Sequence, residues 1–183
     1  SVSTQVAKSF EVSLANLQTE YLDALILHSP LPTAEETIEA WKAMEAISRQ
    51  GGALRLGISN CYNLNLLKSL YALAEIKPVI VQNRFYDKTR YDIPLRAWCL
   101  EHNIVYQSFW TLTANPHLLS HNQVETLAKK YAREPAQILF NYLRQSGVTP
   151  LTGTTDISHM QLDLASFDVD FTDNELSLLD KML

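Results

Sequence analysis

Short apolar runs recur five times along this chain, centred near residues 24–28, 54–58, 79–83, 104–108 and 148–152. Each is followed by at least one longer segment whose apolar residues fall at helical spacing. A strand that is apolar on successive residues is covered on both faces, as strands of parallel sheets are. Strict alternation of strand and helix implies parallel neighbours joined by right-handed crossovers. The pattern therefore predicts an α/β fold with five parallel strands. A five-stranded doubly wound sheet fits that count, and so does part of a closed eight-stranded barrel.

The helical segments carry their own start and stop signals. Leu14, Leu17 and Tyr21 are spaced for the apolar face of a first helix. Thr33-Ala-Glu-Glu36 has capping-box spacing and opens a second, in which Ile38, Trp41, Met44 and Ile47 face a core and Gly51-Gly52 stops the run. Asn63 caps a third, with Leu64, Leu67, Leu70 and Leu73 inward, and Pro78 breaks the chain before the next strand. Further helices are predicted over 94–101 and 124–131, and from Pro135, suited to a first turn, to Gly147. Thr172-Asp-Asn-Glu175 caps a last one whose Leu176 and Leu179 pack inward. No linker, low-complexity stretch or fixed-period repeat interrupts the series, so residues 1–183 read as a single domain.

Composition narrows the function. The net charge of -5, with no basic cluster, argues against nucleic acid as a partner. No apolar run approaches the length of a membrane span. The chain opens on Ser1 with no leader-like segment. Cys61 and Cys99 lack CxxC spacing and suggest reduced thiols in a reducing, cytoplasmic compartment. Together with His102, His117 and His121 they form no ligand-like spacing, so no metal site is expected. Only five glycines occur, and neither GxGxxG nor GxxxxGK[ST] is present, which removes the usual glycine-rich phosphate loops.

Polar residues gather instead where the strands end. In order these ends read Leu-His-Ser-Pro (27–30), Gly-Ile-Ser-Asn (57–60), Val-Gln-Asn (81–83), Gln-Ser-Phe-Trp (107–110) and Pro-Leu-Thr-Gly (150–153), with Trp41-Lys-Ala-Met-Glu45 and Pro135-Ala-Gln-Ile-Leu139 between them. Seven such motifs in this order and spacing resemble the aldo-keto reductase superfamily over nearly the whole chain. The resemblance implies a (β/α)8 barrel of the TIM type that binds a nicotinamide dinucleotide across its carboxyl-terminal face. It places the five strands, with their helices, as the fourth to eighth of that barrel. It implies NAD(P)H-dependent reduction of an aldehyde or ketone to an alcohol.

Residue by residue, the resemblance implies that His28 directs its imidazole at the substrate oxygen, the alternative being a histidine satisfied by backbone at a strand end. Ser29 stands where the family often has tryptophan. Ser59, Asn60 and Gln82 match the trio that hydrogen-bonds the nicotinamide carboxamide, and Phe109 matches the aromatic stacked under the ring. Leu112 and Thr113 continue the pyrophosphate loop, in which Trp110-Thr111 replaces the common Ser-Pro. Thr152 and Thr154 can hydrogen-bond a phosphate, and Asp163 matches an adenine contact or is a surface carboxylate. Leu151 and His159 replace the Lys and Arg that hold a 2′-phosphate in NADPH-preferring members, so both NADP and NAD are admitted as cofactor.

The family's catalytic group is an Asp, a Tyr, a Lys and a His, and only the His has a match here, as His28. The other three belong to the front of the barrel, roughly 100 residues of a 250-residue fold. The expectation is a truncated barrel lacking three strands, inactive as an isolated chain. The competing expectation is a non-catalytic fragment or truncated paralogue that self-associates through open strand edges.

Overall fold

The apolar runs form strands within one or two residues of where the sequence puts them. The computed structural model describes residues 1–183. Its strands are β1 (Leu22–Leu27), β2 (Ala53–Ser59), β3 (Ile80–Arg84), β4 (Val105–Phe109) and β5 (Val148–Pro150), ordered β1-β2-β3-β4-β5 in one sheet. Nine helices accompany them: α1 (Val2–Leu17), α2 (Ala34–Arg49), α3 (Leu64–Leu73), α4 (Ile93–Glu101), α5 (Pro116–Leu119), α6 (Asn122–Tyr131), α7 (Pro135–Gln145), α8 (Ile157–Leu164) and α9 (Asp173–Asp180). None is long and apolar enough to cross a membrane. The chain divides into two compact units, Ser1–Asn83 with Ala97–Val105, and Arg84–Arg96 with Tyr106–Leu183.

In the first unit β1 and β2 pair in parallel from Leu22↔Ala53 to Leu27↔Ile58, and β2 and β3 from Gly57↔Ile80 to Ser59↔Gln82. Gly57 is where β2 approaches β3 closely. A Cβ there would lie 2.9 Å from both the Cβ and the carbonyl oxygen of Ile80. Leu56, Ile58 and Val81 are fully buried, as are Trp41 and Met44 of α2 and Leu67 and Leu70 of α3. The Trp41–Glu45 motif does more than fill space. Trp41 Nε1 donates to the Ile76 carbonyl (3.0 Å), and the buried Glu45 carboxylate accepts from the Glu75 and Ile76 N–H groups (2.7 and 3.0 Å). One face of α2 therefore fixes the loop that feeds β3.

Three inward assignments fail. Tyr21 lies beyond the end of α1, and both it and Leu17 are exposed; α1 contributes no fully buried residue. Leu73 is exposed as well, and Ala74 takes the buried position. At 3.6 residues per turn a run of leucines at strict i+3 spacing drifts off the buried stripe, so Leu67 and Leu70 face in and the last one does not.

In the second unit β4 and β5 pair in parallel from Tyr106↔Val148 to Ser108↔Pro150, and the Leu151 N–H extends the ladder to the Ser108 carbonyl (2.7 Å). Ile138, Leu139, Phe140 and Leu143 of α7 form the core with Tyr106, Tyr142 and Leu179. Gln137, from the Pro135–Leu139 motif, donates from Nε2 to the Leu162 carbonyl (2.8 Å) and so ties α8 to α7. Arg90, Tyr91 and Asp92 are three successive non-glycine residues with φ near +52°, a left-handed turn that L side chains resist. Buried contacts hold it. Tyr91 packs on Phe85 and shares a hydrogen bond with His117 Nε2 (2.9 Å), while Asp92 accepts from the Tyr106 hydroxyl (2.8 Å). Burial, with the Asp87 charge second, raises the Tyr91 hydroxyl above its ordinary pKa.

Candidate functional site

Parallel strands direct their carboxyl ends to one side, where the following loops carry side chains. In the first unit three of the expected residues meet around one atom, the Gln82 carbonyl oxygen. Ser59 Oγ donates to it (2.7 Å), and so does the Asn60 N–H (3.1 Å). Asn60 sits in the left-handed region (φ 52°), a position asparagine tolerates better than most residues. Its Nδ2 donates to the His28 carbonyl (2.8 Å) and more weakly to Ser59 Oγ (3.3 Å), and its Oδ1 accepts from the Tyr62 hydroxyl (3.2 Å). The Asn60 amide thus links the end of β1 to the end of β2. His28, one residue past β1, is exposed and joins the wall of a cavity of about 330 Å³ with Phe10, Leu31 and Met44. Ser29 lines the same cavity.

Sequence reasoning read Asn83 only as part of a strand-end motif, yet it is the pin of this arrangement. It is fully buried, its Oδ1 accepts from the Cys61 N–H and its Nδ2 donates to the Cys61 carbonyl, both at 2.9 Å. That two-point clamp holds the Ser59–Cys61 turn against β3. Such a role depends on a partner 22 positions away and leaves no local sequence signal.

In the second unit the expected residues line open space. Phe109, Leu112 and Thr152 border a groove of about 670 Å³, together with Trp110, Thr113 and Gly153. Leu112, Thr152 and Gly153 also border a second chamber of about 650 Å³ that reaches Thr154, His159 and Asp163. Thr152 donates its hydroxyl to Asp163 Oδ2 (2.7 Å), so these two are held as a pair. Leu151 borders the first chamber and His159 is exposed on α8. Asp156 caps that helix. Bonds from the Ser158 hydroxyl and from the His159 and Ser158 N–H groups hold its carboxyl below the ordinary value. The sequence signalled the chamber residues but not α8. No residue of that helix is fully buried. No group of three or more His, Cys, Asp or Glu is placed to hold a metal ion.

The profile of the Aldo/keto reductase family matches residues 3–183, and the chain belongs to that family. It is similar to an NAD/NADP-dependent indole-3-acetaldehyde reductase of Schizosaccharomyces pombe, 31% identical over 187 residues that cover 95% of this chain and 64% of the relative. An NADPH-dependent alpha-keto amide reductase of Saccharomyces cerevisiae is 29% identical over 183 residues, covering 92% of this chain and 58% of the relative. The crystal structure of a Bombyx mori aldo-keto reductase in complex with NADP matches with a TM-score of 0.86 at 25% identity, over 98% of this chain and 63% of that one. The chain thus spans about three fifths of the length of its relatives. Its fold is α/β, with the five strands and their helices corresponding to the fourth to eighth of a (β/α)8 barrel.

Proposed function

We propose that this protein reduces aldehydes or ketones to alcohols with a nicotinamide dinucleotide, NADPH or NADH. The observation that carries this reading is the Ser59–Asn60–Gln82 cluster, where the end of β2 meets the middle of β3. It gathers hydroxyl and amide groups that offer both donors and acceptors, the chemistry that matches a carboxamide. The long Asn60–Ser59 bond is the one a bound amide would replace. When bound, the cofactor supplies the hydride. The chain's own residues orient and exclude. His28 donates to the carbonyl oxygen and fixes its direction. Phe109 offers a flat apolar face for a ring. Leu112, Thr152 and Asp163 accept the remainder of the dinucleotide, and with Leu151 and His159 in place of fixed cations there is little preference for NADPH over NADH. Buried Cys61 and Cys99 suit a reducing, cytoplasmic setting.

The reduction also needs a proton. No tyrosine of this sequence matches the family's general acid, and a positioned acid contributes about 10²–10⁴-fold. The 183-residue chain alone should therefore show no measurable turnover. Oxidation of NADPH with a nitrobenzaldehyde, followed for this chain and for a version extended by the family's amino-terminal strands, tests the reading. Turnover is expected from the extended version, and His28→Ala should lower it with little change in cofactor affinity. Absence of both binding and turnover in the extended version would refute the reductase reading.

One observation favours a second reading, about association. No residue of β1 is fully buried, and β1 stands at the edge of the sheet with β2 as its one neighbour. Open edges recruit strands from other chains. Sedimentation at micromolar concentration should show self-association, and a well-behaved 20.7 kDa monomer would remove this reading.

A further inference from the structure

The groove of the second unit holds a single formal charge. Arg84, the last residue of β3, lines it, and every other lining side chain is uncharged, the hydroxyls of Thr113 and Thr152 among them. The Arg84 guanidinium lies 4.5 Å from the centre of the Trp110 ring and 4.6 Å from that of Tyr86. The frame around it is fixed. The Phe85 N–H donates to the Phe109 carbonyl (3.1 Å), and the buried Asn115 amide donates to both the Phe85 carbonyl (2.7 Å) and the Thr111 carbonyl (2.9 Å). One side chain therefore secures the residue after Arg84 and the residue after Trp110. Trp110 itself has φ of 54°, a conformation that persists only where the surroundings enforce it.

A guanidinium packed on aromatic rings has its planar fork pre-organised, and a fork beside the Thr113 hydroxyl matches the oxygens of a phosphate, the Thr152 hydroxyl being given to Asp163. The rest of the molecule does not favour an anion. The net charge is -5, and the adjoining chamber carries the carboxylates of Glu125, Glu134 and Asp163. A phosphate entering this surface is attracted to the Arg84 chamber and repelled from the next.

We propose that Arg84 is the anion anchor of this protein, binding the pyrophosphate of the dinucleotide in the groove it shares with Trp110 and Thr152. Arg84 thereby supplies a fixed positive charge for the group that NADPH and NADH share, and none for the 2′-phosphate. This rests on the dinucleotide reading above and deepens it. No sequence signal marked Arg84, because its role depends on rings and hydroxyls supplied by β4 and the loops that follow.

The test is calorimetric titration of the 183-residue chain with NADPH, NADH and inorganic pyrophosphate, alongside tryptophan fluorescence, since Arg84 lies against Trp110. Arg84→Gln should weaken all three by roughly tenfold or more, and Arg84→Lys should recover part of the loss. Binding of NADPH and pyrophosphate by Arg84→Gln within about twofold of wild type overturns the anchor and leaves the function reading standing. Wild-type binding of pyrophosphate but of neither dinucleotide, lost in Arg84→Gln, supports the anchor and defeats the function reading. No binding of any of the three by wild type overturns both. Should Arg84→Gln fail to fold, wild type alone decides: affinity for pyrophosphate must fall with ionic strength, and salt-independent binding overturns the anchor.

Discussion

In the first unit the polar side chains at the strand ends are bonded to one another, whereas in the second unit they border open space. Ser59, Asn60 and Asn83 are each held by hydrogen bonds to neighbouring backbone around the Ser59–Cys61 turn. Phe109, Leu112, Thr152 and Arg84 instead line chambers of several hundred cubic ångströms. The first arrangement gives a geometry set before any ligand arrives, which suits recognition of a small planar amide. The second gives room and a local charge, which suits a long anionic ligand.

The largest effect should follow from cutting the clamp that makes the first unit rigid. Asn83→Ala leaves the buried N–H and carbonyl of Cys61 without their side-chain partners, at a cost of about 2–5 kcal/mol. Urea unfolding measures it, and a loss under about 1 kcal/mol would show that this end of the sheet is not held as described.

Acid should act on the second unit through Glu175. Burial alone would raise its carboxyl, but bonds from Lys130, Thr172 and Tyr131 hold it at about 2, against an ordinary 4.5. The folded value lies below the unfolded one, so the stabilisation is complete above pH 4.5 and drains away as the pH falls towards 2. It amounts to at most about 3 kcal/mol. Thermal unfolding between pH 6 and 2 should show the slope, and Glu175→Gln should flatten it; an unchanged slope would assign the acid sensitivity elsewhere.

A smaller gain is expected from the strained turn. Arg90→Gly removes one Cβ from the left-handed run at residues 90–92 and should stabilise the protein by about 1 kcal/mol. A destabilised Arg90→Gly would mean that the Arg90 side chain makes contacts that outweigh the strain.

The parts that could be read from the residues are those whose cause is local. Strands show as apolar runs because a parallel strand is covered on both faces, and α2 and α9 begin where Thr33 and Thr172 meet a glutamate three residues on. His28, Ser59, Asn60 and Phe109 stand at or just beyond strand ends, as the motif order implied, whereas Gln82 lies at the middle of β3. What escaped has a distant cause. Leu73 and Tyr21 have the right chemistry for a core, and only packing decides that they face solvent. The 90–92 turn is imposed by Phe85, Tyr106 and His117 against the preference of its own residues. Asn83 and Arg84 are adjacent polar residues of the same strand. Their opposite fates, one a buried clamp and one a groove cation, follow from the alternation of faces and from partners far along the chain.

Recognition of a nicotinamide dinucleotide by the chain's own strand residues is open to direct test. Direct titration of the wild-type chain with NADPH and with NADH, by calorimetry, tests it without requiring turnover. Both should bind saturably at a ratio of one per chain, with similar affinity, and binding should be weakened by Asn60→Ala and by Phe109→Ala. Saturable binding that neither substitution alters, or no binding of either dinucleotide, would contradict it.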